Sequence, residues 1–119
     1  MTTAGGKVHN FTVEIADTPE AQRKGLMYRE SLAPDRGMVF LYDTPANQSF
    51  WMKNTYIPLD IIYVREDGTI ARIYENTLPL SETPLGSLEP VSMVFEIAGG
   101  RSAELGIAEG DVVRLTEGS

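Results

Sequence analysis

The sequence predicts a mainly β fold: a single-domain β-sandwich or partly closed barrel with one short N-terminal helix. Three observations lead there. Short alternating or continuous apolar runs recur between turn signals at regular spacing. A single segment, Thr18 to Gly25, carries full helix punctuation. No internal repeat, charge block or low-complexity tract interrupts the pattern. The chain has 119 residues, 42% of them hydrophobic, and a domain of that size buries roughly two-thirds of its unfolded surface. Residues 1–7 are expected to form a disordered N-terminal segment and residues 8–119 one β-rich domain.

Val8 to Ile15 alternates as a strand, with His9, Phe11, Val13 and Ile15 on one face. Thr18 then offers an N-cap, Pro19 suits the first helical position, and Glu20 complements the positive end of the dipole. Gly25 ends that helix. Met38 to Tyr42 is a continuous apolar strand, expected to be covered on both faces. Ser49 to Thr55 is expected to be extended. Leu59 to Arg65 and Thr69 to Asn76 form a hairpin through Glu66-Asp67-Gly68. Thr77 to Pro90, with Pro79, Pro84, Gly86 and Pro90, reads as a long loop. Val91 to Ile97 is a further strand, Arg101 to Leu105 a helical turn ended by Gly106, and Val112 to Leu115 a last strand.

Composition excludes several chemistries. Cysteine is absent, which removes thiol nucleophiles, zinc–thiolate sites, iron–sulfur clusters and disulfides. His9 is the only histidine, so no imidazole cluster exists for zinc or non-heme iron. The glycines of Gly99-Gly100 and Gly106 to Gly110 form no phosphate loop. No cofactor and no metal are expected. A net charge of −7 and a pI near 4.6 argue against nucleic acid and anionic membranes as partners. No apolar run approaches the roughly 20 residues of a transmembrane helix, so no integral membrane segment is expected. Met1 to Gly6 has no signal-peptide pattern. The chain as written therefore reads as cytoplasmic, or as periplasmic or exported if a leader has been removed. Oligomeric state is not written in the sequence.

The candidate site is the run Ser49 to Asp60. It places the only tryptophan, Trp51, beside Lys53, Asn54, Thr55 and Asp60, ahead of the apolar Ile61 to Val64. Polar groups between two core segments must be solvated or paired, since burying one without a partner costs roughly 2–7 kcal/mol. In an extended segment Trp51, Lys53 and Thr55 share one face. Two readings stay open. In the first, Trp51 walls a pocket for a small polar or anionic ligand, Lys53 receives the anion, and Asn54, Thr55 and Asp60 orient it. In the second, the same groups form a satisfied network pinning the segment, with Asp60 paired to Lys53, Arg23 or Arg29. Arg23 and Arg29 provide planar forks suited to carboxylate, phosphate or sulfate. Asp60, Glu96 and Asp111 are the carboxylates available to acid–base chemistry, without a paired-acid motif among them.

Arg23 to Arg29 (Arg-Lys-Gly-Leu-Met-Tyr-Arg), Gly37 to Phe40, Ser49 to Asp60 and Gly110 to Val113 occur in that order. In this the chain resembles the prokaryotic domain of unknown function family 192, from about Val8 to Leu115. The resemblance implies a compact β-rich bacterial domain, free-standing or exported, with no established activity, substrate or cofactor. It also raises Arg23 and Arg29, which stand on matched motif positions. The functional expectation is binding of a small polar or anionic ligand by Arg23, Arg29, Trp51, Lys53, Asn54, Thr55 and Asp60. The alternatives are a hydrolytic enzyme using Asp60 as acid or base, and a cell-envelope interaction domain using the Thr77 to Pro90 loop or a sheet edge.

Overall fold

A computed structural model describes residues 6–115; of the expected disordered segment, residues 1–5 lie outside them. The chain runs β1 (Thr12–Ala16), α1 (Pro19–Lys24), β2 (Arg36–Ala46), β3 (Ser49–Phe50), β4 (Leu59–Val64), β5 (Ile70–Tyr74), β6 (Leu85–Gly86), β7 (Val91–Ala98) and α2 (Arg101–Leu105). The fold is mainly β, as the sequence predicts. Five strands form one open mixed sheet in the order β1-β2-β7-β4-β5, and β3 pairs with β6 in a separate two-stranded ribbon. The barrel is not closed. β1 and β2 are parallel because α1 and the turns after it carry the chain back, whereas β2–β7, β7–β4 and β4–β5 are antiparallel.

Burial follows strand parity. Met38 and Phe40 of β2, Val94 of β7 and Ile61 and Tyr63 of β4 face a first core with Leu26 and Met52. Val39, Phe95, Ile97, Ile62 and Val64 face a second core closed by Ile107 and Val113. All six β4 residues are buried, because this strand is covered on both faces. The expected double coverage of Met38 to Tyr42 is met at Met38, Val39 and Phe40, while Leu41 and Tyr42 are half-buried. Gly37 pairs with Ile97, and a Cβ there would stand 2.5 Å from the Glu96 backbone oxygen. Only glycine lets β2 and β7 close at this point.

The helix signals translate directly. Thr18 Oγ1 accepts the Ala21 N–H at 3.2 Å, and Gly25, at φ 49°, donates its N–H to the Ala21 carbonyl. Four elements depart from the sequence reading. The first strand covers Thr12–Ala16 and leaves His9 outside it. A second short helix, α2, stands where a helical turn was expected. The Thr77 to Pro90 loop contributes β6, which pairs with β3. The expected last strand, Val112 to Leu115, is reduced to one bridge between Thr69 and Val112. Nearby backbone bonds, Ile70 N–H to Asp111 and Val113 N–H to Gly68, hold that tail without a ladder.

Candidate functional site

The segment Ser49 to Asp60 is not uniformly extended. β3 ends at Phe50, and the chain turns at Lys53-Asn54, with Asn54 in the left-handed region at φ 55°. The turn undoes the predicted alternation. Met52 is buried in the first core and Thr55 is 4% exposed, while Trp51 is 44% exposed. Asparagine tolerates this conformation because its short polar side chain bonds locally. Here its Nδ2 donates to the Tyr28 hydroxyl at 2.9 Å, and the Tyr28 N–H donates to the Asn54 carbonyl at 2.8 Å. Tyr28 itself has φ 66°. The Trp51 segment is further tied to the 77–90 loop, since Met52 N–H donates to Ser81 and Leu80 N–H to the Thr55 carbonyl.

Between α1 with its following turn and the Trp51 segment lies a cleft of about 770 Å³. Arg23, Lys24 and Tyr28 contribute one wall, and Trp51, Lys53, Asn54 and Thr55 the other. The sheet supplies the floor through Phe40, Tyr42 and Glu96. Lys53 Nζ stands 5.0 Å from the Trp51 ring centroid, a cation–π arrangement at an exposed rim. Among the described residues none of Arg23, Lys24 and Lys53 forms an ion pair. Glu20 lines the same side and makes the rim mixed in charge.

Glu96 is the unusual floor residue. It occupies the central strand β7, opposite Met38 on β2 and Ile61 on β4. It is 4% exposed, and no described residue hydrogen-bonds or ion-pairs with its carboxyl. Desolvation alone pushes its pKa up to about 8, so the acid is mostly protonated at neutral pH. Tyr42, beside it, is raised to about 12 by burial and then by the Glu96 charge. Tyr63 is raised by the same two causes, and its hydroxyl donates to the Leu85 carbonyl.

Of the seven residues expected at the site, Arg23, Trp51, Lys53, Asn54 and Thr55 line this cleft. Arg29 and Asp60 do not. Arg29 lines a smaller cavity of about 300 Å³ beside β1 and forms a bidentate pair with Glu14, Nη2 to Oε1 at 2.8 Å. The pair lowers the Glu14 pKa and raises that of Arg29. Asp60 is fully buried and pairs with no cationic side chain among the described residues. Its Oδ1 accepts the Asn76 and Gly100 N–H groups at 2.9 Å, and its Oδ2 accepts Ser102 N–H at 2.7 Å. The carboxylate anchors the start of α2, whose N-cap Gly100 has no side chain to do so. Asp111 caps a turn, accepting the Ala108 N–H at 2.9 Å.

The sequence reading weighed Glu96 only as one unplaced carboxylate and did not include Lys24, Tyr28 or Tyr42. The available signal was a lone charged residue inside Val91 to Ala98, a run otherwise fit for a doubly covered strand. No group of three or more carboxylate or histidine side chains is arranged to hold a metal ion among the described residues. No helix there is long and apolar enough to cross a membrane.

The profile of domain of unknown function family 192, described as "Uncharacterized ACR", matches residues 1–115. The chain belongs to this family. Two solved structures share its fold closely. A Novosphingobium aromaticivorans protein of unknown function is 46% identical with a TM-score of 0.92, over 96% of this chain and 81% of that one. A Sinorhizobium meliloti protein, provisionally described as a transcription regulator, is 45% identical with a TM-score of 0.91, over 93% of this chain and 86% of that one. The comparison with curated proteins finds no match. Family membership accounts for the shared fold and assigns no reaction.

Proposed function

We propose that the cleft between α1 and the Trp51 segment binds a small polar or anionic ligand. The observation that carries this reading is Glu96, a buried carboxyl without a hydrogen-bond or ion-pair partner among the described residues, at the base of a roomy cleft. Buried polar groups in folded proteins are nearly always hydrogen-bonded, and exceptions need an explanation. Asp60 shows the structural alternative in the same molecule: a buried acid with backbone donors on both oxygens. Glu96 has no such network among the described residues, and it lines the cleft. Around it, Trp51 and Tyr28 offer aromatic surface, while Arg23, Lys24 and Lys53 supply unpaired positive charge at the rim. Apolar walls with a few convergent polar groups are the usual composition of a small-molecule site.

The competing readings have less to rest on. Hydrolysis through Asp60 would need a substrate to reach a fully buried carboxylate whose oxygens are already engaged. An envelope contact through residues 77–90 competes with the work that loop does inside the fold, pairing β6 to β3 and tying down Met52 and Thr55. The provisional regulator description of one relative adds no nucleic-acid reading, because a chain at −7 has little with which to neutralise phosphates.

The test is a thermal-shift screen of anions, sugars, nucleotides and divalent metals on wild type and on Lys53→Ala. A ligand at about 100 times its Kd adds roughly 2.7 kcal/mol, a rise of several degrees in a domain of this size. The expected result is a hit that Lys53→Ala weakens while remaining folded, since Lys53 is exposed. Absence of any hit across the panel overturns the reading.

A further inference from the structure

The charges around this cleft are arranged in two zones. Among the described residues, three cations without ion-pair partners, Arg23, Lys24 and Lys53, stand on the exposed walls, and an acid without a hydrogen-bond or ion-pair partner stands at the floor. The floor's immediate neighbours across the sheet, Met38 and Ile61, are apolar, and no cation among the described residues reaches the carboxyl. A neutral hydrogen-bonding role at that position would be served by glutamine, which carries both a donor and an acceptor and never has to ionise. What a carboxyl adds is the capacity to become an anion opposite a cation.

Resting on the ligand-site reading above, we propose that the cleft takes a bipolar small molecule. Its primary amine enters first and pairs with Glu96, and its carboxylate or phosphate stays outside against Lys53, Arg23 and Lys24. The amine supplies the cation that the protein withholds from Glu96, and the rim cations meet the opposite end. Glu20 on the rim favours the reversed placement less than Glu96 rewards the forward one, because an exposed carboxylate interacts weakly through water.

The energetics allow it. With the free acid titrating near 8, ionising Glu96 at pH 7 costs only about a factor of ten in affinity. A desolvated, charge-assisted pair recovers more than that. The groups facing Glu96 do not compete for the proton in the working range. Tyr42 and Tyr63 are raised further into the basic range, and Glu14, in the same row of the sheet, is committed to Arg29. Binding of the amine therefore expels a proton, about 0.9 per ligand at pH 7.

The experiment is calorimetric titration of the folded protein with a series of ω-aminocarboxylates and ω-aminoalkyl phosphates, each against its matched compound without the amine. It is run at pH 6, 7, 8 and 9 and in two buffers of different ionisation enthalpy. The expected result is at least tenfold preference for the amine-bearing member and proton release at pH 7. Its affinity rises about tenfold per pH unit below 8 and levels above it. Glu96→Gln abolishes the preference and the proton release together. If that variant fails to fold, the pH profile and buffer dependence of wild type decide alone. Equal binding of the compounds lacking the amine, without proton release and with affinity falling above pH 8, overturns the proposal and makes Glu96 a protonated donor. No binding of either series also overturns it, while any hit from the wider screen keeps the ligand-site reading standing.

Discussion

Tyr28 and Asn54 hold each other by two hydrogen bonds, and both have left-handed backbone conformations, at φ 66° and 55°. One residue follows α1 and the other turns the Trp51 segment, so the contact sets the width of the cleft between them. For a bulky side chain such as tyrosine a positive φ is uncommon and costs about 1 kcal/mol or more. Backbone held this way persists because surrounding structure determines it, and such residues concentrate at functional sites.

Asn54→Ala removes the side-chain bond to Tyr28 and places a Cβ-bearing residue without local compensation at positive φ. It should lower stability by about 1–2 kcal/mol. Asn54→Gly loses the same bond but accepts the conformation, and should cost less than the alanine variant. Urea unfolding of the two variants checks the order.

Asp60→Asn and Asp60→Ala should both be severely destabilising. Alanine strands three N–H donors, that of Ser102 buried and those of Asn76 and Gly100 part-buried, at about 1–3 kcal/mol for a buried unsatisfied group. Asparagine fares little better, since its amide would point a donor at another donor, the Ser102 or the Asn76 and Gly100 N–H groups. The expected measurement is loss of a cooperative thermal transition at 37 °C or a fall of well over 10 °C in Tm.

Glu96 gives the stability a distinctive pH dependence. Its folded pKa, about 8, lies above its ordinary value of 4.5. Between those values the unfolded chain has released a proton that the folded protein keeps. Stability from this group is therefore complete below about pH 4.5 and declines by up to about 1.4 kcal/mol per unit as pH rises towards 8. Glu96→Gln should flatten this limb and gain most, relative to wild type, at pH 8. Denaturation midpoints at pH 5 and pH 8 measure the difference. Glu14 acts in the opposite sense: its pKa is lowered by Arg29, so its contribution is present above the ordinary carboxylate range and lost on acidification. Being exposed, that pair is worth at most about 1 kcal/mol.

Gly37→Ala should destabilise by several kcal/mol, because the new Cβ would lie 2.5 Å from the Glu96 carbonyl oxygen and 3.0 Å from the Phe95 ring. The backbone oxygen cannot yield without opening the β2–β7 ladder. Chemical denaturation reads the loss, and Ala at Gly106, where nothing lies within 4 Å, provides the comparison of backbone strain without a clash.

Much of this arrangement was legible in the sequence. Helix α1 was readable to its caps because Thr18, Pro19 and Gly25 act locally, each through its own backbone geometry. The strands of the central sheet followed from their apolar runs. Trp51, Lys53 and Asn54, a polar knot between core segments in the sequence, line the cleft. What failed depended on distant contacts. The left-handed turn at Asn54 is stabilised by Tyr28, twenty-six positions away, a contact that no local signal marks. Asp60 looked like a partner for Lys53 in sequence, but its donors come from residues 76 to 102. Glu96 stands in a run, Val91 to Ile97, that by itself does not show which faces of the strand are covered. β7 is hydrogen-bonded on both edges and largely covered on both faces, which leaves Glu96 only 4% exposed at the cleft floor, and that placement is set by β2 and β4 rather than by β7.

The most direct measurement uses the fact that Trp51 is the only tryptophan in the chain and stands half-exposed on the cleft wall. Its emission is to be titrated with every compound that raises the melting temperature. A ligand seated between α1 and the Trp51 segment should change that emission saturably, with the same Kd as the stabilisation, and Lys53→Ala should weaken both together. Ligands that stabilise the protein while leaving Trp51 emission unchanged would contradict the account and move the binding site elsewhere.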